Sequence, residues 1–533
     1  MQRTLPKYQL FGLFYLLLLS STATAEQFYV IPSNTTSCPK DPCYTLSDLV
    51  QKPSQYFASN TVIKFLPAHH QTNSGRNLTV LIKDVKNISL IGSDHIGSDF
   101  MSVIQCTGTL GFAFINVTTL KIEKLTLLFC QAPLLAVEET YVNPDDIRNY
   151  ITFTEMFTLY FLQTFNVVIS EVAIHNSTGA GLLGINMLGL SNISQTTFSG
   201  NEPNCWLIFL DDSYASQILP KTHFNIVQSK ITFGRLPHSI KKYDWKATGL
   251  LIMLEQTAYN VHIHVNNIAT YGNQRYGFYG PYGNLHFAIE QWRCYCSVIQ
   301  ATLISGTNTV GEGDTATVSL NSADDSSICN CSKSTEEEYT VYISDSHFVG
   351  MGVRVDKHNS QHYCDAGIKL QNITVENCTR VALFISSMLS VELQNARFIN
   401  NHDGALLFRS HITVYGDSYF IHNTGRDCPL RFSKSTISFY GDVNFFRNEG
   451  KVTSAICAFN STIKFQQTAG VVGNRGRKGG ARALYENSKL VVGEHGNVIF
   501  LSNCAQLDGG AILAVDSTIV VNRKAMKVTM VGQ

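Results

Sequence analysis

Residues 500–521, "FLSNCAQLDGGAILAVDSTIVV", decide the fold. A Phe-x-x-Asn opens the stretch, a glycine pair follows, and two short apolar alternations are split by Asp-Ser-Thr. The same phrase precedes it four times, in "FINNHDGALLFRSHITVYG", "FIHNTGRDCPLRFSKSTISFYG", "FFRNEGKVTSAICAFNSTIKF" and "VVGNRGRKGGARALYENSKLVVG". Aligned copies place Asn401, Asn423, Asn448, Asn474 and Asn503 at one position and Ser410, Ser435, Ser461, Ser488 and Ser517 at another. The period is 22 to 29 residues, a solenoid length. From serine to the next asparagine the spacing is 13, 13, 13 and 15, whereas asparagine to its own serine runs from 9 to 14. One arc of each repeat is nearly fixed, and the other takes insertions as a surface turn does.

Within each repeat the apolar residues recur at period two, the mark of strands. Two and four residues past the serine stand Ile412, Ile437, Ile463, Leu490, Ile519 and Val414, Phe439, Phe465, Val492, Val521. Five before the serine are Ala405, Leu430, Ile456, Ala483 and Ile512, and three before the asparagine are Phe398, Phe420, Phe445, Val471 and Phe500. Three short strands per repeat bury their inner faces only by stacking coil on coil. The expected fold is all-β, a right-handed parallel β-helix of three sheets, with those residues in ladders. The asparagine suits a left-handed corner and can hydrogen-bond along the stack. Weaker copies such as "LKIEKLTLLFC" and "QNITVENC", with Cys130 and Cys378 at the asparagine position, extend the solenoid back to about Thr61. Some 15 to 18 coils at about 4.8 Å give a rod of roughly 70 to 90 Å.

Arg3 and Lys7, the apolar run Leu10–Leu19 and Ala23-Thr24-Ala25 read as a signal peptide over residues 1–25. The expected protein is therefore secreted, with no membrane span after cleavage. Residues 26–60 form an N-terminal cap with a Cys38–Cys43 loop and a helix-like "TLSDLVQ", and the solenoid occupies 61–533. No matching cap follows the last coil, so further coils or end-to-end association are expected. Charged residues are 15% of the chain and the net charge is zero, with no basic tract for nucleic acid.

In an oxidising compartment the fourteen cysteines read as disulfides. Cys106 and Cys130 stand one coil apart in matching contexts, which puts their α-carbons near about 5 Å. Cys294, Cys296, Cys329 and Cys331 bracket residues 292–335, read as a projecting loop tied at its base by two disulfides, with a zinc site as the rival reading. Cys364 and Cys378 complete the candidates. Ten sequons mark Asn34, Asn77, Asn87, Asn116, Asn176, Asn192, Asn330, Asn372, Asn377 and Asn460 for glycosylation.

The Phe-x-x-Asn and Gly-Gly-Ala-Ile pair resembles the repeats of the chlamydial polymorphic outer membrane proteins, adhesins built on a β-helix. The segment "FYVIPSNTTSCPKDPCYTLSDLV" with "NTVIKFLPAHHQ" resembles secreted right-handed β-helix proteins of sponges and related animals. These likenesses imply an extracellular surface and name no chemistry.

Many β-helices cleave acidic polysaccharides, as lyases or glycoside hydrolases, using carboxylates clustered on one sheet face. Asp145-Asp146, Asp211-Asp212 and Asp324-Asp325 are the acidic pairs, all in loop-like sequence, so no catalytic residue is assigned. His262-Ile263-His264 puts two imidazoles on one strand face at a zinc-like spacing, but the sequence offers no third ligand, and His69-His70 offers less. No metal or cofactor is expected. The Gly- and Tyr-rich "YGNQRYGFYGPYGNLHFAIEQW", with Tyr271, Tyr276, Tyr279, Tyr282 and Trp292, is the candidate contact region for an extracellular protein or glycan.

Overall fold

The computed structural model describes the chain from Glu26 to Val528, apart from short breaks and the spans 94–101, 134–155, 211–221, 233–249, 272–284, 291–297, 308–314, 322–340 and 359–366. Within 208–210, 222–224 and 230–321 the backbone register alone is described. The protein is a parallel β-solenoid. Fifteen strands of a 16-stranded sheet follow one another in chain order, from Leu78–Lys83 to Ile512–Ala514. The short Ala132–Pro133 pairs antiparallel beside them. The other two faces join into one 32-stranded sheet because Val261–Tyr271 and Val298–Thr307 run unbroken across both. Fifteen rungs at about 4.8 Å reach roughly 70 Å.

Three of the four expected ladders hold without exception. Ile412, Ile437, Ile463, Leu490 and Ile519 are consecutive register partners, and so are Val414, Phe439, Phe465, Val492 and Val521. Phe398, Phe420, Phe445, Val471 and Phe500 follow suit, with the first three rings stacked at 5.0 Å spacings.

The fourth ladder slips. Ile456 faces Arg482 and not Ala483, so the column reads Ala405, Leu430, Ile456, Arg482, Ile512. The cause is one extra residue before Ser488, absorbed by two successive left-handed residues, Glu486 and Asn487.

Of the two tasks expected of the recurring asparagine, the structure shows the hydrogen bonding along the stack and not the left-handed corner. The left-handed corner residue is the one before it: Asn400, His422, Arg447, Gly473 or Ser502. The ladder asparagines are buried hydrogen-bond clips. In Asn448, Nδ2 donates to the Phe420 carbonyl at 2.9 Å and to Asn474 Oδ1 at 3.0 Å, while its Oδ1 accepts from the backbone N and the Nδ2 of Asn423. The same clip repeats at Asn401, Asn423 and Asn474. Cys378 sits in this column, its backbone N donating to Asn401 Oδ1. The serines form a second clip, in which each backbone N donates to the next serine Oγ from Ser410 to Ser488.

The first rung lies earlier than Thr61, because Glu26–Ile31 already stacks in parallel on Thr61–Phe65. Above it the helix Leu46–Gln51 closes the core with buried Leu46, Leu49 and Val50. Thr45 caps this helix in a reciprocal box with Asp48, which realises the helix expected in "TLSDLVQ".

His70 is buried in the first coils, its Nε2 2.8 Å from the Leu66 carbonyl and its ring edge-on to Phe65. Burial holds its pKa below the usual imidazole value, and it does the same for His175. A depressed folded pKa means that the unfolded chain takes up the proton first. Stability is therefore full above about pH 6.5 and falls as pH drops through the folded pKa. Thermal melts between pH 7.5 and 5 are expected to show falling stability, with a shallower slope in His70→Gln. An equal slope in parent and variant would remove His70 as a cause.

Candidate functional site

Cys38–Cys43 and Cys106–Cys130 are disulfides, the latter with α-carbons 4.9 Å apart as stacking requires. A third, Cys428–Cys457, also spans one coil and escaped the sequence reading. Its separation of 29 residues matches the longest repeat, but one cysteine precedes its strand and the other lies inside. Cys378 is buried, while Cys294, Cys296, Cys329, Cys331 and Cys364 lie outside the described residues. So do Tyr276, Tyr279, Tyr282 and Trp292, with Tyr271 placed only as the last residue of its strand. The span 292–335, expected to project as a loop, contributes the rungs Val298–Thr307 and Thr315–Asn321.

Six sequon asparagines are exposed corner residues with positive φ: Asn87, Asn116, Asn176, Asn372, Asn377 and Asn460. Their corner role alone accounts for asparagine there, since Asn tolerates this conformation. Nδ2 of Asn87, Asn116 and Asn372 also donates to the corner one coil back, on Asn60, Asp84 and Asp345. Asn34 is exposed and Asn192 half-buried in a strand, whereas Asn77 and Asn330 lie outside the described residues.

Five carboxylates among the described residues serve the scaffold. Glu123 takes Lys121 Nζ and Ser170 Oγ, Glu392 takes Lys369 Nζ at 2.9 Å, and Glu376 meets His347. Asp403 and Asp442 accept backbone N–H groups from neighbouring coils. The three Asp-Asp pairs lie outside the described residues.

Register brings other acids together. Glu255 and Glu290 are direct partners on adjacent rungs, and Asn321 opposite His358 stands on the rungs that follow. The sequence hides this pair, because 35 residues separate its members. His223 and His262 are likewise partners, with His264 two residues along the same strand. A comparison of "THFNIV" with "VHIHVN" would have revealed this alignment.

Charge also gathers at one corner. Residues 423–482 hold ten Lys or Arg against three Asp or Glu in a chain of zero net charge. The small parallel sheet Thr424–Gly425, Glu449–Gly450, Arg475–Lys478 and Cys504–Asp508 lies there. Arg426, Lys451 and Arg477, each one residue past the Gly425, Gly450 and Gly476 register, are exposed on successive rungs. Arg447, Arg475 and Lys478 are exposed beside them, as is Glu449.

No family model and no curated protein matches the chain. Among solved structures it is similar to the catalytic unit of a GH87 α-1,3-glucanase from Streptomyces thermodiastaticus, at 12% identity and TM-score 0.28, covering 91% of this chain and 65% of that one. The Agl-KA catalytic domain gives 11%, 0.26, 89% and 64%. The A-module of the Azotobacter vinelandii mannuronan C-5 epimerase AlgE4 gives 7%, 0.19, 91% and 95%. The chain thus spans just under two thirds of the glucanase unit. At these scores the likenesses carry no argument about activity, and the functional reading rests on this chain's own residues.

Proposed function

We propose that this protein is an exported, glycosylated, non-catalytic scaffold whose long flank serves as a surface or matrix contact for extracellular proteins or glycans. The observation that carries the reading is the employment of the outer carboxylates. Glu123, Glu376, Glu392, Asp403 and Asp442 are spent on a hydroxyl, ion pairs and backbone N–H groups that bind coil to coil. Three disulfides suit an oxidising compartment, and no described helix is long and apolar enough to cross a membrane. The exposed basic corner at Arg426, Lys451 and Arg477 suits an acidic polysaccharide. The resemblance to secreted β-helix proteins and adhesin repeats supports the same reading. The test pairs a glycan-array binding assay with a polysaccharide-degradation screen. Retention of glycans without cleavage is the expected result, and turnover of any polysaccharide would overturn it.

A second reading, a carbohydrate-active enzyme, is favoured by one observation: Glu255 faces Glu290. Glycoside hydrolysis uses a pair of carboxyl groups, and the register sets these two glutamates on adjacent rungs about 4.8 Å apart. If the screen finds cleavage, Glu255→Gln and Glu290→Gln should each abolish it.

A further inference from the structure

The small sheet at the basic corner lines its exposed cations up along the solenoid axis. Thr424 pairs with Glu449 and Glu449 with Arg475, while Gly425 pairs with Gly450 and Gly450 with Gly476. The three glycines are buried, and the residue after each, Arg426, Lys451 or Arg477, is exposed. Backbone bonds continue past the register, from Lys451 N to the Gly425 carbonyl and from Lys478 N to the Val452 carbonyl. The rungs therefore stay stacked where the charges sit. At about 4.8 Å per rung, the row carries three like charges over roughly 10 Å. Arg475 and Arg447, both exposed, lie beside it on the same strands.

These charges are not used by the scaffold. Among the described residues, Arg426, Lys451, Arg475 and Arg477 take no part in an ion pair. Asp403 meets Arg426 only through the backbone N–H. Arg447 is positioned by packing, its guanidinium carbon 4.9 Å from the centroid of the Phe446 ring. The Cys428–Cys457 disulfide ties the coil of Arg426 to the coil of Lys451. A Cβ on Gly425 would come within 2.7 Å of the Cys428 carbonyl group, so this strand lies tight against the stapled segment. A ligand would thus meet a backbone that is already ordered, which lowers the entropic cost of binding.

The geometry selects the ligand. A row of about 10 Å is too long for its three charges to converge on one oxyanion, whereas a linear polymer laid along the axis meets one cation per rung. Arginine forks pair in bidentate fashion with planar or tetrahedral oxyanions. Neither the row Arg426, Lys451, Arg477 nor the column Thr424, Glu449, Arg475 holds a ring on which a base could stack, as single-stranded nucleic acid requires. We propose that this corner is the binding site for a linear polyanionic polysaccharide, one bearing sulfate esters or uronate carboxylates, which runs along the solenoid axis over Arg426, Lys451 and Arg477 with Arg447 and Arg475 flanking it. The proposal rests on the glycan-contact reading above and gives it a place and a ligand class.

The experiment measures binding of the full chain to dextran sulfate, carboxymethyl dextran, uncharged dextran and double-stranded DNA. Binding to one or both charged dextrans and not to dextran is expected, and their ranking identifies the anion. Affinity should fall as salt rises, since these cations are exposed. The triple variant Arg426→Gln, Lys451→Gln, Arg477→Gln should weaken binding by about tenfold or more. Glu449→Gln, which removes the acid opposite Arg475, should tighten it. A control with Arg409→Gln, Lys434→Gln and Lys489→Gln removes as many exposed charges beside the serine column and should bind as the parent does. On the unsubstituted chain, the bound polymer should shield Arg426 and Arg477 from phenylglyoxal and Lys451 from acetylation, read by peptide mass spectrometry. Equal binding by the triple variant, an equal loss in the control, shielding of other residues instead, or tighter binding to DNA would overturn the proposal. Cleavage of a charged dextran, with binding still lost in the triple variant, would sink the non-catalytic reading and support this site.

Discussion

Asn448→Ala is expected to cost about 3–5 kcal/mol and to melt the C-terminal coils first. The buried side chain makes four hydrogen bonds, two as donor and two as acceptor. Truncation orphans the Asn423 backbone N–H, leaves one Asn423 Nδ2 hydrogen unmatched while the other keeps the Phe398 carbonyl, and takes a donor from the Phe420 carbonyl. A buried polar group left without a partner costs about 1–3 kcal/mol, and one full loss with two partial ones sets the range. Asn444→Ala is the control: it lies in the same coil but is only half-buried and outside the clip, so it should stay within about 0.5 kcal/mol. Hydrogen exchange read coil by coil is the right measurement, since a solenoid opens from nearest neighbours outward. If Asn448→Ala behaved like the control, the asparagine column would be ornamental, and apolar stacking would set the register.

How much of this was legible beforehand depended on the length of each repeat. Where serine and strand kept a constant offset, period-two patterning placed Ile412 through Ile519 and Phe398 through Phe500 without error. A single inserted residue before Ser488 was enough to put Arg482 where an alanine was expected, because one step along a strand exchanges the two faces. The Cys106–Cys130 bridge was readable because both cysteines share one coil position. Cys428–Cys457 was not, since its members come from different points of the turn. The sites were the least legible. A single strand shows His262 and His264, but only the stacking shows His223 and the facing of Glu255 with Glu290. Surface chemistry on a solenoid is written across coils, so it becomes visible only after the register is known.

That slipped position yields the second large effect. Arg482→Leu is expected to stabilise the protein by about 1–4 kcal/mol, the range found when buried ionic groups give way to apolar residues of similar volume. Arg482 is 0% exposed, and its Nε and both terminal nitrogens lack a hydrogen-bond partner. Its guanidinium lies over two rings, 4.2 Å from the Phe465 centroid and 5.0 Å from that of Phe500. Ring faces attract a cation by roughly 0.5–2 kcal/mol each, well short of the several kcal/mol that desolvation costs an ion. Burial pulls the pKa down to about 9, still above neutrality, so the charge persists at pH 7. Its column neighbours are Ile456 and Ile512, with Leu430 one rung further, and a leucine there simply continues the ladder. Arg482→Lys, which keeps a charge but loses the flat face that stacks on the rings, should be less stable than the parent. Chemical denaturation followed by fluorescence, with exchange protection of residues 482–492, orders the three proteins. Leucine above arginine above lysine is the expected order. A leucine variant less stable than the parent would mean that the guanidinium is fully compensated, and that the two rings hold it more strongly than cation–π attraction in water-exposed settings suggests.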